Sequence, residues 1–89
     1  MITVERIIPS ETPPGVLALH LKRYEFARTY LTGMQVLDLG CGVGYGARYL
    51  AGVAGEVVGV DIDIGAIEYA QKRYTGPRNL AFVLSLIHI

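Results

Sequence analysis

Val36-Leu37-Asp38-Leu39-Gly40-Cys41-Gly42-Val43-Gly44-Tyr45-Gly46 is an apolar run that ends in an acid and then breaks into glycines. Val36, Leu37 and Leu39 suit a short, buried parallel strand. Gly40, Gly42 and Gly44 let the backbone turn tightly and approach a ligand with no Cβ atoms in the way. Such a turn suits a nucleotide-like molecule. Asp38 separates it from a phosphate cradle, because a carboxylate at the mouth of the turn repels a pyrophosphate and attracts an ammonium or sulfonium group.

A second acid stands downstream. Glu56-Val57-Val58-Gly59-Val60-Asp61 is a valine-rich run that predicts a neighbouring parallel strand with Asp61 at its tip. An acid about 20 residues beyond a glycine turn is placed to accept hydrogen bonds from both ribose hydroxyls of an adenosine. The plainer role for Asp61 is a helix cap after the strand. Asp63 is better placed for capping, which leaves Asp61 for the ligand.

The segment Asp38-Leu39-Gly40-Cys41-Gly42-Val43-Gly44, an acid followed by Gly-x-Gly-x-Gly, resembles the first motif of the class I methyltransferases, with Asp61 and Ile62 in the place of the second. The resemblance implies S-adenosylmethionine as cofactor, with its ammonium near Asp38, its ribose on Asp61 and its adenine against Ile62. Gly40, Cys41, Gly42 and Gly44 would form the turn beneath it. It also implies that a helix ahead of the first strand lies over the methionyl end, where Tyr24 is the candidate to meet the carboxylate. Methyl transfer to a nucleophilic atom then depends on aligning the two reactants. The lead residues Glu5-Arg6-Ile7-Ile8-Pro9 and His20-Leu21-Lys22-Arg23-Tyr24 resemble those of small-molecule methyltransferases, which sets the expectation of a small-molecule acceptor.

Two other readings compete. A dinucleotide-binding oxidoreductase, with NAD(P) as cofactor, also carries glycines after its first strand, spaced Gly-x-Gly-x-x-Gly. No window of this chain keeps three glycines at that spacing; from Gly40, Tyr45 stands where the third belongs. The remaining reading is a relic that binds the cofactor without chemistry.

Composition narrows the classes further. The chain has 89 residues, eight basic and eight acidic side chains and one cysteine. A domain of this size buries roughly 60% of its unfolded surface, so its core is marginal. A single cysteine forms no internal disulfide, and no Cys or His cluster has metal-site spacing. The sequence near Cys41 offers no basic side chain of the kind a nucleophile needs, and the residue reads as a compact filler of the turn. With zero net charge, no broad field recruits nucleic acid or a membrane surface. No apolar stretch spans a bilayer, and Glu5, Arg6 and Pro9 stand where a secretory signal needs apolar residues, so a cytoplasmic protein is expected.

Along the chain, residues 1–34 read as an irregular, proline-punctuated lead and one amphipathic helix. Val16, Leu17, Leu19, Leu21, Tyr24, Phe26, Ala27 and Leu31 form its apolar face, and Gly33 ends it. Residues 35–83 read as a partial cofactor-binding domain of order β-α-β-α-β. Tyr45 to Ala51 and a helix capped by Asp63 supply the crossovers, with Ile64, Ile67 and Ala70 toward the sheet. The expected class is therefore α/β, the N-terminal half of a Rossmann-like, doubly wound parallel sheet. Leu84-Ser85-Leu86-Ile87-His88-Ile89 resembles the translated end of a transposon used in sequencing adaptors. Residues 84–89 are accordingly expected to be an artefactual tail, His88 is given no catalytic weight, and no catalytic residue is assigned.

Overall fold

The structure is a computed structural model that describes residues 14–87, with side chains described from Leu21 onward. The irregular lead and His88 lie outside the described residues. Three helices and three strands follow one another as α1 (Pro14–Arg28), β1 (Gln35–Leu39), α2 (Tyr45–Ala51), β2 (Glu56–Asp61), α3 (Ile64–Arg73) and β3 (Leu80–Leu84). The strands form one parallel sheet in the order β1-β2-β3, with Asp38 opposite Gly59 and Gly59 opposite Phe82. The expected alternation is the observed one.

Helix α1 opens on Pro14, where a missing backbone N–H costs nothing in the first turn. It ends at Arg28, five residues before Gly33. The N–H groups of Thr29, Tyr30 and Leu31 reach back only three residues, to the carbonyls of Phe26, Ala27 and Arg28, which tightens the last turn. Tyr24, Ala27 and Leu31 are buried on one face, whereas Phe26 is two-thirds exposed and lies beside the ring of Tyr30. A position two residues from Tyr24 points roughly 200° away around the helix, so Phe26 does not belong to the inner stripe.

Alternation within the strands sets one covered face and one open one. Val36, Asp38, Val57, Gly59, Asp61 and Phe82 are buried, while their neighbours Leu37, Leu39, Val58, Val60 and Val83 are half-buried or exposed. Helices α2 and α3 supply the cover through Ala47, Leu50, Ala51, Ile67 and Ala70. Successive crossovers of one hand, moving in one direction along the sheet, put both helices on the same side. The high apolar content expected for strands covered on both faces thus meets a single helical layer among the described residues. Ile64, expected against the sheet, is 59% exposed on the first turn of α3; Ile67 and Ala70 face inward as expected.

Polar side chains tie the layer together. Asn79, just before β3, donates to the carbonyls of Ala51 at 2.8 Å and Ala54 at 3.1 Å, satisfying the C-terminal end of α2. Asp63 caps α3 by accepting from the N–H of Ala66 at 3.1 Å, the role its position implied.

Candidate functional site

The C-terminal ends of β1 and β2 lie side by side, and the glycine turn joins them. Gly40 and Cys41 donate their N–H groups to the carbonyl of Val60 at 2.7 and 2.9 Å. Gly42 donates to Oδ2 of Asp61 at 2.9 Å, and Gly44 to the carbonyl of Cys41 at 3.1 Å. Four N–H groups of the turn are therefore satisfied inside the protein. A phosphate-binding nest presents such donors outward, and this turn has already used them.

Gly40 (φ 75°), Gly42 (φ 56°) and Gly44 (φ 92°) all sit in the left-handed region that disfavours a side chain. At Gly44 the constraint comes from the core as well: a Cβ there would stand 2.7 Å from the ring of Phe82 and 2.9 Å from Ala70. The freedom expected to admit a ligand is spent at this position on packing. Cys41 enters the turn through its backbone. Its thiol is buried, donates to the carbonyl of Gly42 at 3.6 Å and packs where Gly59 lacks a side chain.

Asp61 is buried, with Oδ2 on Gly42 and Oδ1 accepting from the N–H of Asp63 at 2.8 Å. It is a brace between the first turn and the start of α3, a role that neither the ribose nor the capping reading contained. Each carboxylate oxygen has a second lone pair, so the brace leaves acceptor capacity. Ile62, next to it, is 47% exposed.

Asp38 is the most unusual group of the site. It is 1% exposed, and its Oδ2 accepts from the phenol of Tyr24 at 3.1 Å while Oδ1 has no hydrogen-bond partner among the described residues. Burial, reinforced by the charge of Asp61 and opposed by the Tyr24 bond, pushes its pKa up to about 7. Tyr24, itself buried and beside this carboxylate, is held far above the ordinary phenol range, and Tyr45 is pushed up to about 12 by burial and by Asp38. Sequence reasoning brought Tyr24 toward the site but not onto Asp38. It also missed Gly46, where any Cβ would overlap the ring of Tyr24. The glycine itself was the available signal.

A family model described as a methyltransferase domain matches residues 36–88. The chain belongs to this methyltransferase domain family. A protein of Mycolicibacterium smegmatis named "Probable S-adenosylmethionine-dependent methyltransferase" is 35% identical over 74 residues, which cover 82% of this chain and 29% of that protein. The mRNA cap guanine-N(7) methyltransferase of Candida glabrata is 44% identical over 57 residues, covering 63% of this chain and 14% of that enzyme. Among solved structures, a SAM dependent methyltransferase from Aquifex aeolicus superimposes with a TM-score of 0.66 at 26% identity over 90% of this chain and 48% of its own. The chain thus spans less than a third of the length of these two sequence relatives. The methyltransferase match favours the methyltransferase motif over the dinucleotide fingerprint. A small-molecule acceptor and the absence of nucleic acid gain no support from a relative named for an mRNA cap. Among the described residues no helix is long and apolar enough to cross a membrane.

Proposed function

We propose that this chain is the S-adenosylmethionine-binding part of a methyltransferase whose acceptor is held by residues outside it. The observation that carries the reading is Oδ1 of Asp38, a carboxylate oxygen in a buried residue at the end of β1 that has no hydrogen-bond partner among the described residues. An orphaned buried acceptor costs about 1–3 kcal/mol, more when charged, and a bound ammonium removes that cost. The residues present fit the cofactor. Asp38 takes the ammonium, the remaining lone pairs of Asp61 take ribose hydroxyls, and half-exposed Ile62 offers an apolar surface to the adenine. Gly40, Cys41 and Gly42 bring the backbone close beneath it, Gly44 holds the turn against Phe82, and the internally spent N–H groups of all four suit a ligand without phosphate. Tyr24 closes the methionyl end.

When bound, the cofactor supplies a sulfonium-activated methyl group for in-line displacement by a nucleophile. The chain's own contribution is to bind and orient, which is the larger part of such catalysis. Calorimetric titration of the chain with S-adenosylhomocysteine and with NAD tests the reading. Binding of S-adenosylhomocysteine without binding of NAD is expected; NAD binding as tight or tighter, or no binding of S-adenosylhomocysteine, overturns it.

A further inference from the structure

Tyr24 reaches Asp38 across 14 positions of sequence, and three elements converge on the contact. Helix α1 supplies the phenol, β1 the carboxylate, and α2 the space, because only a glycine at position 46 admits the tyrosine ring. The ring is further fixed by the edge of Tyr45, with centroids 5.6 Å apart and planes inclined at 67°. Tyr24 is 2% exposed. Its hydroxyl therefore stands against one oxygen of Asp38 in a packed setting, and the other oxygen is the unpartnered one.

We propose that Tyr24 is a positioning residue: its O–H fixes Oδ2 of Asp38 so that Oδ1 is presented, ionised, to the cofactor's ammonium, making affinity depend on the docking of α1. This rests on the function proposed above and differs from direct contact between Tyr24 and the ligand. The physical basis is that a phenol donating to a carboxylate favours its charged form, opposing the burial that favours the neutral one. Among the described residues, the titratable groups that act on the Tyr24–Asp38 pair are Cys41 in the turn, Tyr45 on α2 and Asp61 on β2. Burial and the Asp38 carboxylate hold both tyrosines above the ordinary phenol range, while burial pushes Asp38 up to about 7.

The test combines two measurements on the 89-residue chain. Carbon-13 NMR of labelled aspartate follows the titration of Asp38 in the wild type and in Tyr24→Phe, and calorimetry with S-adenosylhomocysteine is run at pH 7 and pH 8.5. Loss of the phenol is expected to raise the Asp38 midpoint by about one pH unit. Affinity then falls about fivefold at pH 7 and less than twofold at pH 8.5, following the ionised fraction of Asp38. In an Asp38→Asn background, Tyr24→Phe is expected to change nothing further. An unchanged Asp38 midpoint, an equal loss at both pH values, or a further loss in the Asp38→Asn background overturns the proposal. If Tyr24→Phe does not fold, 3-fluorotyrosine at position 24 replaces it: a stronger donor in the same packing must lower the midpoint, and a midpoint that stays or rises overturns the proposal. Absence of any wild-type binding refutes the proposed function, whereas the NMR titration separately decides the coupling between Tyr24 and Asp38.

Discussion

The backbone N–H of Gly42 donates to Oδ2 of Asp61 over 2.9 Å, so the acid at the end of β2 holds the glycine turn that follows β1. Its other oxygen accepts from the N–H of Asp63 at 2.8 Å. One carboxylate thereby fixes two loops that must be in register before a ligand can lie across both strand ends.

Asp61→Ala is expected to destabilise the unliganded chain, because it strands two N–H donors that now meet a charged acceptor. Hydrogen bonds to charged groups are worth about 1.5–3 kcal/mol each, and partial access of water to the vacated donors limits the total to about 2–4 kcal/mol. Asp61→Asn keeps one acceptor oxygen and should lose about half as much. Urea denaturation compares the three proteins; an unchanged midpoint in Asp61→Ala would remove the brace.

The pH dependence of stability follows from Asp38. Its pKa rises on folding from 3.8 to about 7, so the native state holds the proton more tightly than the unfolded one. The contribution is fully present below about pH 4 and is lost as pH rises through about 7. Between about pH 5 and pH 8 the unliganded chain should lose about 2–3 kcal/mol from this group. Asp38→Asn should flatten that slope, and urea midpoints across the range measure it.

Gly44→Ala should be among the most damaging single substitutions. A left-handed φ of 92° costs an alanine about 1–2 kcal/mol, and a Cβ 2.7 Å from the ring of Phe82 adds about 1–3 kcal/mol of overpacking. Pairing it with Phe82→Leu should recover part of the packing cost and none of the backbone cost. Thermal or urea midpoints of the two variants separate the contributions.

The Cys41 thiol should react with a disulfide reagent only when the chain opens, since the residue is 2% exposed. Its reaction rate should rise with added urea in step with unfolding. A fast reaction in native buffer would show that the turn does not enclose it.

Much of the site was legible because its residues are close in sequence to the elements that carry them. The apolar runs before Asp38 and Asp61 specify strands, and parallel pairing of two strands of known polarity brings their C-terminal ends together. Asp63 was legible as a cap because a cap acts within one helical turn. Phe26 was misplaced because it stands two residues from Tyr24, a spacing that one helix face does not hold; Ile64 was misplaced because an apolar residue in a first turn satisfies several faces, and the neighbouring surface chooses among them.

What the sequence by itself determined was the β-α-β-α-β order, the glycine turn and the two acids at the strand tips, all products of local pattern and of the period of the strand. What only the tertiary structure decided was the use to which those groups are put: Tyr24 on one oxygen of Asp38, Gly44 against Phe82, Gly46 beneath the ring of Tyr24, and Asp61 bracing Gly42. Each of these depends on the distance and angle between elements 14 to 38 residues apart. Side-chain packing across the helical layer sets those distances, and no local propensity encodes them.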